Sequence, residues 1–247
     1  MLTSTRRKDK DLSNAVKLPE KKERSRIANP FKVYVVGGGY DYIRMMLALG
    51  YAGAKGLGDA DIILFTGGED VDPALYGEKA LKGTNYNTMR DNKESVIYQE
   101  ALAAKIPMVG ICRGGQFLNV MNGGKMWQHV NNHCGNHKMT DVLLSAHRGE
   151  EVTLEVTSTH HQMMIPNEET ALILATAAMS TSKLSFTSDL SIPKPHGDVE
   201  VVWYENTSCL CFQPHPEFRT APAECVNFFD ECMDNYVIPS TFGKVAA

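Results

Sequence analysis

Short apolar runs alternate with helical segments along the first half of the chain. Three runs are rich in apolar and β-branched residues and are bounded by glycine or proline, which is typical of buried strands. These runs are 32–37, 61–65 and 107–111. The pattern predicts helices over 42–49, 88–105 and 114–121. Buried strands that alternate with helices predict a parallel sheet that is covered on both faces.

The second half of the chain has a different pattern. Short strand signals follow one another there with little helix between them, at 152–156, 172–176, 199–204 and 209–213. A last helix is predicted from 221 to 236. Strands joined without long crossovers favour antiparallel pairing. We therefore expect one α/β domain whose second half is more antiparallel than its first.

The composition is that of an ordinary globular protein. The 247 residues are 43% hydrophobic and 22% charged, which fits one domain with a sizeable core and excludes wholesale disorder. No apolar run approaches the roughly 20 residues that span a bilayer, and no secretory leader opens the chain. The sequence predicts a soluble, cytoplasmic protein with no membrane partner.

Charge is divided unevenly along the chain. The net charge is -4, but residues 1–29 alone carry +5, so the remainder carries -9. We predict a basic, solvated tail over 1–29, one folded domain over 30–238 and a C-terminal tail over 239–247. Because a nucleic-acid-binding domain concentrates its basic charge on a folded face, no nucleic-acid partner is expected for the folded domain.

Six cysteines are too few for a disulfide-built scaffold of this length. Two of them are two positions apart on a predicted strand and two are seven apart on a predicted helix, so each pair shares a face. These four, Cys209, Cys211, Cys225 and Cys232, are predicted to be buried hydrophobic residues in a reducing compartment. Cys134 is predicted to be a loop thiol.

The sixth cysteine, Cys112, stands between an apolar strand and a helix, with Gly110 and Gly114 two positions to either side. This is the nucleophile-elbow pattern with sulfur in place of oxygen. A tight strand-to-helix turn strains the backbone at the nucleophile and leaves no room for neighbouring side chains. The N-terminus of the following helix would favour the thiolate form of Cys112, and the Arg113 amide would face a developing oxyanion.

A thiolate hydrolase needs a base, and the base needs an orienting group. The segment Gln213–Glu217 follows a predicted strand, and its two prolines hold it extended. His215 and Glu217 are two positions apart in this segment, so both side chains can point the same way. The pattern predicts a Cys–His–Glu arrangement with Cys112 as the nucleophile.

A second cluster of ligand-type side chains lies between 129 and 137. His129, His133, Cys134 and His137 have spacings that could hold a metal on a helix, but the intervening residues favour a polar loop. We therefore expect no metal there. The glycines at 37–39 lack the remaining residues of a phosphate-binding loop and are interpreted as a tight turn.

Five motifs in order resemble the class I glutamine amidotransferase-like superfamily, and within it most closely the peptidase-type γ-glutamyl hydrolase branch, which includes γ-glutamyl-γ-aminobutyrate hydrolases. The motifs are 110–114, 214–217, 66–73, 90–94 and 158–162. The resemblance covers about residues 32–236. It implies a flavodoxin-like α/β fold with a mixed, mostly parallel sheet and helices on both faces.

The resemblance also implies roles for individual residues. It implies Cys112 as nucleophile, His215 as general base and Glu217 as its orienting group. It implies that amides of the Gly67-Gly68 turn join that of Arg113 in binding the oxyanion. Substrate-binding residues would be Arg90, Glu94, Gln116, His160, His161 and Gln162. For Arg90 and Glu94 an i,i+4 surface ion pair is the alternative, and we favour His160 over His161 as the pocket-facing histidine.

The expected function is hydrolysis of γ-glutamyl amides, such as glutamine or γ-glutamyl conjugates, through a thioester, with no metal or organic cofactor. One alternative is a glutaminase subunit that delivers ammonia to a separate synthetase, because the sequence shows no synthetase domain of its own. A second alternative is a non-catalytic binding or thiol-sensing protein on the same fold.

Overall fold

The structure of the chain, a computed structural model, describes residues 30–178, 185–187 and 197–242. The predicted tail over 1–29 lies outside these residues. The helices are α1 (Tyr40–Ala48), α2 (Thr88–Ala103), α3 (Arg113–Met121), α4 (Val142–Arg148), α5 (Ala223–Cys232) and α6 (Ile238–Phe242). The strands of the main sheet are β1 (Lys32–Val36), β2 (Ala52–Gly53), β3 (Ile62–Phe65), β4 (Met108–Ile111), β7 (His137–Asp141), β8 (Thr153–Val156), β10 (Ala171–Ala177), β12 (Val199–Tyr204) and β13 (Cys209–Phe212). Short strands outside it are β5 (Lys125–Trp127), β6 (His129–Val130), β9 (Met163–Ile165) and β11 (Ser185–Phe186).

Among the described residues the main sheet has nine strands, in the order β2-β1-β3-β4-β13-β12-β10-β7-β8. The five strands from β2 to β13 run parallel, and the remaining pairings are antiparallel. The prediction of a flavodoxin-like, mostly parallel sheet with a more antiparallel second half is confirmed. The carboxyl ends of β3, β4 and β13 therefore meet at one edge, and the loops that follow them carry the Gly67-Gly68 turn, Cys112 and His215.

Helices cover both faces of the sheet because its central strands alternate their side chains between two cores. On β3, Ile62 and Leu64 face a core completed by α1 and α5. Their neighbours Ile63 and Phe65 face the opposite core, which α2 and α3 complete. All four residues are fully buried, which explains why β3 is an unbroken apolar run.

Strand β7 and helix α4 are among the elements of the second half that were not predicted from the sequence. Strand β7 has the sequence His-Lys-Met-Thr-Asp, in which only Met139 is fully buried. Because the other four residues are polar, the sequence lacks the alternation of apolar and polar residues that predicts a strand. Helix α4 is short and has no buried residue. Its N-terminus is capped by Asp141, whose carboxylate accepts a hydrogen bond of 2.8 Å from the amide of Leu144.

The C-terminal helix extends further than predicted. After α5 the chain continues through a π-helical turn, Met233–Val237, into α6. The four predicted core cysteines are buried as free thiols, whereas Cys134 is exposed. Burial raises the pKa of Cys209 to about 11 and that of Cys225 to about 12, so these two thiols are protonated at neutral pH. Within the described residues, no helix combines the length and hydropathy that a membrane span requires.

Candidate active site

Cys112 lies at the turn between β4 and α3 in a conformation that L-residues rarely adopt, with φ 52° and ψ -113°. Its amide donates to the carbonyl of Phe212 over 2.8 Å, and its carbonyl accepts from the amide of Gln116 over 3.0 Å. These bonds tie the turn to β13 and to the first turn of α3. The strain is thus held by the surrounding sheet and helix, and it presents the sulfur at the end of the helix.

Close backbone packing explains the glycines around this turn. A Cβ on Gly110 would lie 2.2 Å from the carbonyl of Gly114, and a Cβ on Gly114 would lie 2.2 Å from the carbonyl of Phe65. Neither neighbour can move away, because both are backbone atoms. The predicted lack of room for side chains at these two positions is confirmed.

His215 lies beside Cys112 on the loop after β13. A Cβ on Gly67 would contact both residues, at 3.4 Å from Cε1 of His215 and 3.6 Å from Cβ of Cys112. Nδ1 of His215 is 2.7 Å from Oε1 of Glu217, and the ring stacks on Phe218 with centroids 4.4 Å apart. The carboxylate therefore fixes the orientation of the imidazole and leaves Nε2 to face the nucleophile.

The pKa of His215 is raised to about 10. Burial lowers it, but the negative charge of Cys112, together with the hydrogen bond to Glu217, outweighs burial. At neutral pH the imidazole is therefore protonated. His215 then already holds the proton that a leaving amine would need.

The proton on His215 links folding to pH. Because its pKa rises from 6.5 to about 10 on folding, the folded chain holds the proton more tightly than the unfolded chain does. This stabilisation is complete below pH 6.5 and is lost as the pH rises through about 10. The free energy of unfolding of the wild type is expected to approach that of His215→Gln across this range in chemical denaturation. A difference that stays constant with pH would contradict the raised pKa of His215.

Helix α1 contributes two residues that the sequence analysis missed. The hydroxyl of Tyr42 accepts a hydrogen bond of 3.0 Å from the amide of Gly67. Burial and the nearby charge of Glu217 raise its pKa, so it stays protonated. Nη2 of Arg44 donates to the backbone carbonyl of Glu217 over 2.8 Å. Their partners are 25 and 173 positions away in the chain, and no local pattern could reveal those contacts.

The contact with Tyr42 bears on the predicted oxyanion site. The amide of Gly67 already donates to the Tyr42 hydroxyl, so in this state it does not face the cavity beside Cys112. Gly68, with φ 140°, lines that cavity together with Arg113. Of the three residues expected to bind the oxyanion, Gly68 and Arg113 line the cavity and Gly67 does not.

Arg90 and Glu94 were expected to bind substrate, but neither lines the cavity. They form an i,i+4 ion pair of 2.8 Å, in which the Glu94 carboxylate is buried rather than on the surface. Arg90 also donates to the carbonyls of Thr66 and Gly67 over 2.9 and 3.0 Å. The pair thus supports the Gly67-Gly68 turn from behind.

The side chain of Arg113 contacts the same carboxylate, that of Glu94, and is almost fully buried. Its guanidinium pairs with the carboxylates of both Asp91 and Glu94. Burial and the charge of Arg90 lower the pKa of Arg113 to about 10, which still leaves it charged at neutral pH. The residue after the nucleophile therefore joins the elbow to α2.

Replacing Arg113 by methionine is expected to lower the free energy of unfolding by about 3–5 kcal/mol, because two carboxylates then lose a buried partner. The exposed pair of Lys32 and Asp59 offers a control, and Lys32→Met is expected to change stability little. Denaturant unfolding of both variants measures this. Equal losses of unfolding free energy in the two variants would show that the buried Arg113 network stabilises the fold no more than an exposed ion pair does.

A polar cavity of about 360 Å³ opens beside Cys112. The predicted substrate-binding residues that line it are Gln116, His160, His161 and Gln162. The amide of Gln116 donates to the carbonyl of Gln162 and to Oε1 of Gln213, both over 3.1 Å. The side-chain amide of Gln162 is buried and has no hydrogen-bond partner within the described part of the chain. It is therefore free to bind a ligand.

The two adjacent histidines differ in their surroundings. The ring of His160 is buried, with Nδ1 2.8 Å from the carbonyl of Gln162 and Nε2 facing Glu200. The ring of His161 is partly exposed and lies 3.0 Å from the Asp70 carboxylate, which raises its pKa. His160 was favoured as the pocket-facing residue, but His161 has the imidazole that ligands can reach.

The segment 129–137 is only partly the polar loop that was expected. His129 begins β6 and contacts the carbonyl of Lys82. His133 is buried, with Nε2 2.8 Å from the carboxylate of Asp198, and His137 begins β7. The expectation of a loop holds for 131–136, which belong to no helix and to none of the named strands, but His133 is buried within it and pairs with Asp198 far along the chain.

The sequence matches the peptidase C26 family over residues 51–217, which is more than half of the chain. The chain belongs to this family. The resemblance to the class I glutamine amidotransferase-like superfamily is thereby confirmed.

Named relatives of the chain agree with this assignment. A protein of Lactococcus lactis subsp. lactis described as glutamine amidotransferase-like (YvdE) is 46% identical over 72 residues, which cover 28% of this chain and 30% of that protein. The carbamoyl phosphate synthase small chain of Helicobacter pylori is 27% identical over 139 residues, which cover 55% of this chain and 31% of that protein. The chain thus spans about a third of the length of these curated relatives.

A solved structure of PurLQS from Thermotoga maritima resembles the chain with a TM-score of 0.55 and 16% identity. The match covers 87% of this chain and 98% of the other chain. At this identity the likeness shows a shared fold.

Proposed function

We propose that the chain is a cysteine-dependent hydrolase of γ-glutamyl amide bonds. The observation that carries the proposal is the placement of His215 beside Cys112 at a strained elbow, with Glu217 2.7 Å from the imidazole. A buried structural cysteine would need neither the strained backbone nor an imidazolium partner. Membership of the peptidase C26 family supports the same reaction class.

The proposed reaction is acyl transfer in two steps. The Cys112 thiolate attacks the γ-carbonyl carbon, and the oxyanion that forms accepts hydrogen bonds from the amides of Gly68 and Arg113. The C–N bond breaks as His215 donates its proton to the leaving amine, which gives a γ-glutamyl thioester. His215 then takes a proton from water, and the hydroxide released attacks the thioester. Glutamate leaves, and the Cys112 thiolate is regenerated.

The cavity supports a substrate that carries both an ammonium and a carboxylate. Glu69 and Asp70 line one part of it and offer acceptors for an ammonium group. The pKa of Glu69 is lowered, first by a hydrogen bond from its own amide and then by Arg90, so it is charged at neutral pH. The free side-chain amide of Gln162 and the imidazole of His161, whose pKa is raised, offer donors for a carboxylate. In a γ-glutamyl group the ammonium and the carboxylate are attached to the same carbon.

Replacing Gln162 by leucine is expected to raise KM for γ-glutamyl substrates by about 5- to 150-fold, because a buried hydrogen bond to substrate is lost. The turnover number is expected to change much less, since the residue does not take part in bond breaking. Asn136→Leu is a matched control, because Asn136 is exposed and lies outside the cavity. Steady-state kinetics that show KM unchanged in Gln162→Leu would remove Gln162 from the binding site.

A glutaminase subunit is the second candidate, and the similarity to a carbamoyl phosphate synthase small chain favours it. Glutamate release from glutamine, from γ-glutamyl-aminobutyrate and from γ-glutamyl-p-nitroanilide separates the two. Preference for the bulkier amides supports the free-standing hydrolase. Preference for glutamine, with a rate that a synthetase raises, supports the subunit. Release from none of the three would leave a non-catalytic binding or thiol-sensing protein.

A further inference from the structure

Four buried side chains and the partly buried His137 converge behind the cavity and take no part in the proposed reaction. The histidine cluster consists of His133, His137, His160, Asp198 and Glu200. Nδ1 of His133 is 3.4 Å from Oε1 of Glu200, and Nε2 of His137 is 2.9 Å from the same oxygen. Nε2 of His160 is 3.7 Å from Oε2 of Glu200. Three imidazoles therefore surround one carboxylate that is fully buried.

Hydrogen bonds outside this centre orient two of the rings. His133 directs Nε2 to the Asp198 carboxylate at 2.8 Å, so its Nδ1 is turned toward Glu200. His160 directs Nδ1 to the carbonyl of Gln162 at 2.8 Å, so its Nε2 is turned the same way. A histidine that donates one ring N–H to a carboxylate or carbonyl presents the other nitrogen as a lone pair. This is the usual arrangement of metal-bound histidines.

With His160 neutral and Nδ1 donating to the carbonyl of Gln162, its Nε2 and the facing Oε2 of Glu200 are both acceptors. Among the described residues, neither Nε2 of His160 nor Oε2 of Glu200 has a hydrogen-bond partner, and both atoms are buried. A separation of 3.7 Å is too long for a hydrogen bond. A cation between the two atoms would satisfy both of them.

We propose that the histidine cluster is a zinc site, with His133 Nδ1, His137 Nε2 and Glu200 as ligands and His160 Nε2 as the neighbouring fourth donor. Three imidazoles and a carboxylate are a donor set that suits Zn²⁺. The ligand atoms of His133, His137 and Glu200 all lie within 4.8 Å of one another. Tetrahedral bonds of about 2.1 Å place ligand atoms about 3.4 Å apart, which is the separation of His133 and Glu200.

The proposed site is closed and would have a structural role. Four protein donors leave no position for a reactive water, which distinguishes structural from catalytic zinc. The ion would join the start of β7, strand β12 and the segment of His160 that lines the cavity. Sequence spacing alone did not predict it, because His129 and Cys134 lie elsewhere and Glu200 is distant in the chain.

Protonation of His133 is the competing way to neutralise the negative charge of the two carboxylates in the cluster. Although burial lowers it, Asp198 and Glu200 raise the pKa of His133 to about 9 when no metal is bound. An imidazolium in contact with both carboxylates would make a cation unnecessary. The two explanations differ in one measurable respect, which is whether the folded chain takes up a divalent ion.

The test uses the full chain, stripped with a chelator and titrated with Zn²⁺ against a metal indicator, with Co²⁺ as the spectroscopic probe. The wild type and the exposed-residue control His147→Gln are expected to bind one ion per chain and to give tetrahedral Co²⁺ absorption. His137→Gln and Glu200→Gln are expected to bind about 100-fold more weakly or not at all. Circular dichroism establishes whether each variant is folded.

Absence of uptake by the folded wild type would overturn the proposal, and so would equal affinity in His137→Gln and His147→Gln. If both cluster variants fail to fold, the titration of the wild type and the His147 control still decides the question. Because the readout is metal binding, the result is independent of γ-glutamyl hydrolysis. A wild type that binds zinc without releasing glutamate would contradict the proposed function and leave the site standing.

Discussion

Replacing Cys112 by alanine is expected to reduce the turnover of γ-glutamyl amides by about 10⁶-fold, as loss of the nucleophile does in hydrolases that form an acyl-enzyme. The sulfur is the only protein atom that bonds to the substrate carbonyl carbon in the proposed mechanism, so no neighbouring group can replace it. The fold is expected to persist, because the strained turn depends on backbone bonds to Phe212 and Gln116 rather than on the sulfur. Glutamate release under saturating substrate measures the effect.

The matched control for this variant is Cys134→Ala. Cys134 is an exposed thiol, so its loss is expected to leave turnover unchanged. A Cys112→Ala protein that is folded and retains a tenth or more of the wild-type rate would contradict nucleophilic catalysis by this residue.

Replacing His215 by glutamine is expected to reduce turnover by roughly 10²–10⁴-fold, the usual contribution of general acid–base catalysis. Two functions disappear together: the positive charge that stabilises the thiolate and the proton that the leaving amine needs. Glu217→Gln is expected to have a smaller effect, because the imidazole remains but loses the carboxylate that orients it at 2.7 Å.

A pH–rate profile distinguishes this catalytic role from a merely structural one. The wild-type rate is expected to fall at alkaline pH as His215 loses its proton near pH 10, and His215→Gln is expected to lack this fall. Near-wild-type turnover in His215→Gln would refute its role. Circular dichroism identifies a variant that unfolds. If His215→Gln unfolds, the pH–rate profile of Glu217→Gln provides the test, because its alkaline fall is expected to shift.

Much of the fold could be predicted because the central strands are fully buried. The apolar runs at 62–65, 108–111 and 209–212 have side chains in a core on each face, so their boundaries follow from composition alone. Strand β7 escaped prediction because only one of its five side chains is fully buried. Its first residue, His137, pairs with Glu200, which lies far along the chain.

The candidate site likewise contains residues that the sequence could predict and residues that it could not. Cys112, His215 and Glu217 stand in local motifs whose glycines and prolines have a backbone reason to be there, so spacing was enough to single them out. Tyr42 has no such motif, because its role depends on a contact with Gly67 that only the folded sheet creates. Arg113 was noticed for its amide, whereas its buried guanidinium depends on partners from α2.

The most direct test of the central claim is to look for the acyl-enzyme itself. The wild-type chain would be mixed with γ-glutamyl-p-nitroanilide, quenched in acid within the first turnover, digested and analysed by mass spectrometry. We predict a γ-glutamyl group bound as a thioester on the peptide that contains Cys112, and its absence from Cys112→Ala. Release of glutamate with no adduct on Cys112, or with the adduct on another residue, would contradict the mechanism.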